Sequence, residues 1–326
     1  MLNLNKINYS ANPFPNFFTD EIINDKLGEE LLKFWPDNIS NSEWDEMNIR
    51  VPVFRLESIN AWKQLSSEQR VFWKSFILQS FDYIRNIYNF YKPYFDKKFN
   101  NEIDELFISS FSLTEFGSDP KLEVGGHHHF AEGTWLFTIL IHIGEDDSER
   151  GNSLFGIKNE SKNSFEEILS NNFPGNVDNT KLLLKRKIEF KKNRLFSFLE
   201  TPISIHGMDK SIIEKSKNIN LKRRMIRIHV SAKDSLIKHV SDLNKNDYRN
   251  AIDKSDGSEK IKKIYGKQIN ILKDSINSIG KKLYTSDINI KGIHGAEIAP
   301  YWTTVPLSIK KHTPLRIRSL IKKLFS

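Results

Sequence analysis

The sequence predicts an α+β protein, with N-terminal helices leading into an antiparallel β-sandwich or barrel. Three observations predict it. Apolar residues recur at helical spacing before about residue 100. The texture turns to short runs of β-formers from residue 106. No helical pattern interrupts those runs before residue 232.

The elements follow in order. Residues 13–37 begin Pro-Phe-Pro-Asn-Phe-Phe-Thr-Asp and read as a helix from Asp20 to Trp35, capped by Thr19 or Asp20 and stopped by Pro36. Residues 61–91 place Trp62, Leu65, Phe72, Phe76, Ile84, Ile87 and Tyr88 at helical spacing, and Pro93 is expected to end that helix. Strands are expected at 106–116, Trp135–Ile143, Lys187–Phe190, Leu195–Leu199, Ile203–Ile205 and Met225–Val230, separated by Gly, Asn, Asp and Pro clusters. Residues 158–181 are polar and read as a surface insertion. Beyond Asp234 the chain is Lys/Asn/Ser-rich, with Ile261, Ile264, Ile271, Leu272, Ile276 and Ile279 at helical spacing. The expected organisation is a helical N-terminal support region (1–105), a β core (106–232) and a basic, mostly helical C-terminal extension (233–326).

Composition removes several classes of function. With 23 Phe and 6 Trp in 326 residues, the chain can bury a sizeable core. With no cysteine it holds no disulfide, zinc ribbon, iron–sulfur cluster or thiol nucleophile. No run of about 18 apolar residues is long enough to span a membrane. The opening MLNLNKINYS has no basic region followed by an apolar run, so a cytoplasmic location is expected. The net charge of +8 is uneven: residues 233–326 carry 19 Lys and Arg against 9 Asp and Glu, whereas residues 1–232 carry 30 against 32. No nucleic-acid motif accompanies that charge. Residues 314–325 place Ile317, Leu320, Ile321 and Leu324 on one stripe flanked by Arg318, Lys322 and Lys323. Such a basic amphipathic helix suits an anionic membrane surface, a partner groove or the protein's own body.

The chemistry concentrates in histidine. His127, His128 and His129 are consecutive after Gly125 and Gly126, and His206 follows the strand-like Asn-Arg-Leu-Phe-Ser-Phe-Leu. In an extended segment His127 and His129 share one face and His128 takes the other. Two imidazoles close in sequence and a distant third form the layout of a facial metal site on a β-scaffold. Such a site leaves coordination positions open, which suits non-haem Fe(II), although imidazole also suits Zn, Ni and Cu.

At this point the residues carry a resemblance. Gly125-Gly126-His127-His128-His129, Thr138-Ile139-Leu140-Ile141-His142-Ile143, Gly151-Asn152-Ser153-Leu154, Asn193-Arg194-Leu195-Phe196-Ser197-Phe198, Ser204-Ile205-His206-Gly207 and Arg223-Arg224-Met225-Ile226 occur in this order. Together they resemble the motif series of the Fe(II)/2-oxoglutarate-dependent dioxygenases, in the prolyl-4-hydroxylase-like branch. Pro13-Phe14-Pro15-Asn16-Phe17 is similar to the opening of such enzymes. The resemblance covers about residues 10–232. It implies a double-stranded β-helix (jelly-roll, cupin-like) core, Fe(II) as cofactor and 2-oxoglutarate as co-substrate. The implied reaction hydroxylates an unactivated C–H bond of a substrate that the sequence does not identify, small or macromolecular, with release of succinate and CO2.

The chain departs from that family at one place. The carboxylate expected two residues after the first histidine is His129 if His127 leads, and Ala131 if His129 leads. Three ligand sets stay open: His127, His129 and His206; His129, Glu132 and His206; or a site lacking the carboxylate, as in related halogenases. A three-His cupin-type metal enzyme is a further alternative. So, in another class, is a non-catalytic β-sandwich binding protein with a basic C-terminal arm. The family position of the co-substrate anchor implies Arg224, with Arg227 and Arg223 as neighbours in register. His142 stands where the family carries Tyr, and Thr138 and Trp135 are candidate pocket-lining residues.

Overall fold

A computed structural model of the chain describes residues 6–20, 22–37, 39, 53–56, 59–99, 105–116, 125–128, 136–158, 175–177, 179–200, 204–208, 223–232 and 304–306. The expected C-terminal helices and the amphipathic segment at 314–325 lie outside the described residues, as does most of the 158–181 insertion.

Three short strands come from the N-terminal region: β1 (Asn8–Ser10), β2 (Asn16–Thr19) and β3 (Val53–Arg55). The helix expected from Asp20 is therefore shorter. It is α1 (Asp25–Lys33), capped by Asn24, whose Oδ1 accepts from the Leu27 N–H at 2.8 Å. The residues before it pair as a strand because Phe17 and Thr19 turn inward at period two. Next come α2 (Ile59–Gln64) and α3 (Ser67–Phe99). Ser66 and Gln69 form a reciprocal capping box at the start of α3, with bonds of 3.1 and 2.9 Å. Pro93 lies inside α3 and does not end it. A proline forfeits one helical hydrogen bond, and the burial of Ile84, Ile87, Tyr88 and Tyr91 just before it offsets that loss.

The β core comprises β4 (Glu105–Phe116), β5 (His127–His128), β6 (Phe137–Ile143), β7 (Asp147–Ile157), β8 (Gly175–Asn176), β9 (Leu182–Phe190), β10 (Leu195–Leu199), β11 (His206–Gly207) and β12 (Arg223–Ala232), joined by a distant β13 (Thr304–Pro306). The sequence missed β7, whose polar start hides its alternation. The strand expected at Ile203–Ile205 begins instead at His206.

These strands form two antiparallel sheets. The larger runs β1-β2-β10-β6-β12-β4, and the far edge of β4 pairs with both β3 and β13. The smaller runs β8-β5-β11-β7-β9. The N-terminal region is thus not only helical, because it and β13 extend the larger sheet. Helix α3 covers one face of that sheet: Trp73, Phe76, Ile84 and Tyr91 cluster with Phe111, Leu113, Ile139, Ile141, Ile226 and Ile228. The alternate residues Leu140, Phe196, Phe198 and Met225 face the smaller sheet and pack with Leu154 and Ile188. Helices, large sheet and small sheet therefore stack as three layers, an architecture compatible with a β-sandwich or jelly roll.

Candidate functional site

Strand alternation decides what the inter-sheet space contains. Residues of β6 and β12 that do not face the helices are Thr138, Leu140 and His142, and Arg223, Met225, Arg227 and His229. From the smaller sheet, His127 and His206 are directly opposed Cα partners across β5 and β11. Their rings lie 4.4 Å apart centroid to centroid, and the Phe198 ring lies 4.4 Å from His206.

The two histidines are held alike. His127 Nδ1 is 3.1 Å from the Gly125 carbonyl and His206 Nδ1 is 2.8 Å from the Ser204 carbonyl. A carbonyl only accepts, so each Nδ1 donates and the neutral ring carries its lone pair on Nε2. This outer-sphere arrangement is the one that orients metal-binding imidazoles. Gly126, between Gly125 and His127, packs tightly: a Cβ there would lie 2.2 Å from Leu182 Cδ1. His129 and Glu132, the two candidates for a third ligand, lie outside the described residues, as does Trp135. Among the described residues no group of three His, Asp or Glu side chains converges.

The arginines separate by face. Arg224 lies on the helix side of the sheet, bonded to Glu115 Oε2 through Nε at 2.9 Å and stacked 5.8 Å from Trp35. Strand register turns it away from the histidines, and Glu115 holds it there. Arg223 points inward instead. It is buried, donates to the Met208 sulfur at 2.9 Å and lies 5.9 Å over the Phe190 ring. Met208 is two residues beyond His206, so this guanidinium belongs to the histidine end of the space. Arg227 also faces inward and donates through Nε to Ser112 Oγ at 3.2 Å.

His142 is fully buried and stacks on Phe190 at 4.3 Å. Burial, reinforced by Arg194 and Arg223, pushes its pKa down to about 3, so it is neutral at ordinary pH. Asn152 Nδ2 lies 3.0 Å from its Nε2. With that amide donating, the ring proton sits on Nδ1, a buried donor with no hydrogen-bond partner among the described residues. The Ser153 hydroxyl is similarly buried and unsatisfied. The Thr138 hydroxyl donates to Glu200, and its oxygen is 2.7 Å from His229 Nδ1. The sequence singled out neither Glu200 nor His229, because only the strand register brings them inward.

Arg194 of the Asn-Arg motif is structural. It donates to both Asp20 oxygens, at 2.6 and 3.1 Å, and to the Glu189 carbonyl, and stacks 4.2 Å over Phe18. Asn193 before it occupies the left-handed region (φ 61°), which lets the β9–β10 turn close.

No protein-family model matches the chain, and no curated protein matches its sequence. Among solved structures it is similar to a prolyl 4-hydroxylase from Phytophthora capsici, with 8% identity and a TM-score of 0.35 over 79% of this chain and 83% of that one.

Proposed function

We propose that the chain is an Fe(II)- and 2-oxoglutarate-dependent oxygenase built on a double-stranded β-helix, hydroxylating a C–H bond. The observation that carries this reading is the His127–His206 pair, two opposed imidazoles with the same Nδ1–carbonyl anchoring. These residues fit a metal: two opposed imidazoles, each with Nδ1 bonded to a carbonyl, leave Nε2 of both as a nitrogen donor. The third ligand would come from His129 or Glu132.

The far carboxylate of the co-substrate would be held by Arg223, a buried guanidinium that donates to the sulfur of Met208, two residues beyond His206. His142 Nδ1–H and Ser153 Oγ, both buried without partners among the described residues, supply further hydrogen-bonding capacity on that side. Phe190 stacks on His142 and the Phe198 ring lies against His206, which gives the space apolar walls. Bound Fe(II), with 2-oxoglutarate and O2, would supply the oxidising power for hydroxylation, with succinate and CO2 as products. The chain's residues would orient the reactants and keep His142 uncharged beside the anionic co-substrate.

Anaerobic addition of Fe(II) and 2-oxoglutarate tests the reading. The expected result is a weak visible charge-transfer band requiring both additions and lost in His127→Ala and His206→Ala. The same measurement on His129→Ala and Glu132→Ala selects the third ligand. Metal binding without a 2-oxoglutarate band would instead indicate a cupin-type metal enzyme. Absence of metal binding would leave a non-catalytic β-sandwich.

A further inference from the structure

The inward face of the larger sheet carries a buried polar row where a packing layer alone would be apolar. Ser110, His229 and Thr138 are successive Cα partners across β4, β12 and β6, and Glu200 follows the end of β10 beside them. Ser110, Thr138 and His229 are each 1% exposed and Glu200 is 5% exposed. The opposite face at the same level is Phe137, Ile139, Ile228 and Val230, all apolar. Sequestering a carboxylate and an imidazole is costly unless they are mutually bonded, and here they are bonded through one hydroxyl.

The bonds have a direction. The Thr138 hydroxyl gives its only proton to Glu200 Oε1, so His229 donates from Nδ1 to the Thr138 oxygen, 2.7 Å away. Glu200 is fixed a second time beside the start of β6, its N–H donating to the carbonyl of Leu136, the residue before that strand, at 3.0 Å. From that fixed point the chain runs six residues to His206. The Ser204 hydroxyl donates back to the Leu199 carbonyl at 2.6 Å, and the Ser204 carbonyl receives His206 Nδ1 at 2.8 Å. Phe198, the Cα partner of Thr138, presses its ring on His206 at 4.4 Å.

We propose that His229, Thr138 and Glu200 form a positioning unit that sets the tautomer and orientation of the His206 imidazole. The unit acts through the Leu199 carbonyl beside Glu200, the Ser204 hydroxyl bonded to that carbonyl, and the Phe198 ring, and touches neither metal nor substrate. The proposal rests on the reading of His206 as a metal ligand for its functional consequence, but its structural claim is independent of any metal.

Two measurements separate these. The first is long-range ¹H–¹⁵N NMR of the His206 ring in metal-free protein, compared among wild type, Thr138→Val, Thr138→Ser, Glu200→Gln and His229→Phe. The expected wild-type pattern is a single Nδ1–H tautomer. Thr138→Val and His229→Phe should mix tautomers or broaden the signal, while Thr138→Ser, which keeps the hydroxyl, should restore it. The second is Co(II) titration, read by the visible d–d absorption. Thr138→Val should weaken Co(II) binding by about tenfold or more and alter the band, as loss of an outer-sphere partner does, with Thr138→Ser near wild type. If Thr138→Val does not fold, His229→Phe and Glu200→Gln carry the same comparison. An unchanged His206 spectrum in folded Thr138→Val and His229→Phe overturns the positioning unit. A changed spectrum with no Co(II) binding by wild type supports the unit and overturns the metal reading alone.

Discussion

His127 and His206 face each other across an antiparallel pair with the same local geometry, each ring nitrogen Nδ1 bonded to the carbonyl two residues earlier in its own chain. The arrangement presents two Nε2 atoms in one space whose wall is the Phe198 ring. Two donors acting on one ion are not additive. His127→Gln and His206→Gln are each expected to abolish tight Co(II) binding, and the double variant is expected to be no worse than either alone, as read by competition with a metal indicator dye.

The arginines of β12 make opposite predictions. Arg223→Met is expected to weaken 2-oxoglutarate binding by tenfold or more, with metal affinity retained, because it removes the buried inward guanidinium. Arg224→Met removes a half-buried pair with Glu115 on the helix side and should leave 2-oxoglutarate binding within about twofold of wild type. Its thermal stability should fall by about 1 kcal/mol or less. Isothermal titration of both variants in the presence of Co(II) decides between them.

His142 makes stability depend on pH in a definite direction. Its folded pKa is about 3 against an ordinary 6.5, because burial and two arginines oppose its charge. The unfolded chain therefore binds the proton first. Stability is unaffected above the ordinary value and falls as pH drops from about 6.5 toward 3, by up to about 1.4 kcal/mol per pH unit. His142→Phe keeps the stack on Phe190 and should flatten denaturant-derived stability between pH 6.5 and 4. At neutral pH the same change is expected to cost about 1 kcal/mol, for the acceptor lost to Asn152.

Asp20 and Arg194 tie the N-terminal strands to the core. Hydrogen bonds from Arg194, then from Lys191, hold the Asp20 carboxyl below its ordinary range against the opposing effect of burial. This contribution is present above the ordinary carboxylate value and is lost as pH falls through the lowered one. Arg194→Met is expected to destabilise by about 1–3 kcal/mol, since it removes a fork bonded to both Asp20 oxygens and the stack on Phe18. Arg194→Lys should recover less than half of that, because an ammonium cannot make the paired contact. Urea unfolding of the two variants measures the difference.

Gly151 of β7 lies directly against the backbone of β9. A Cβ there would lie 2.0 Å from the Ile188 carbonyl oxygen, a backbone atom that cannot step aside. Gly151→Ala is expected to destabilise by about 2 kcal/mol through a shift of the β7–β9 pairing. It should also perturb Asn152 and with it the His142 hydrogen bond, which a change in the His142 ring NMR signals would report.

Much of this was legible in the residues. The histidine cluster, the change of texture at residue 106 and most core strands could be read because period-two alternation and β-former runs survive in the local sequence. Helix α3 was visible from its apolar spacing, although its passage through Pro93 was not. The N-terminal strand β2 was hidden, because Phe17 and Phe18 read as helix-flanking aromatics until β10 lies beside them. Glu200 and His229 carried no signal, since a lone acid after a strand and a lone histidine within one are ordinary.

By itself the sequence determined the materials of the candidate site: three consecutive histidines and a distant fourth, no thiols, and a basic C-terminal third. Tertiary structure alone decided which arginine faces them. Arg223 and Arg224 are adjacent and chemically identical, and in a strand with period-two geometry a one-residue difference in register exchanges the two faces. The pairing of β12 between β6 and β4 fixes that register over ten residues. It turns Arg224 to Glu115 and Arg223 to the space that holds His142 and His206.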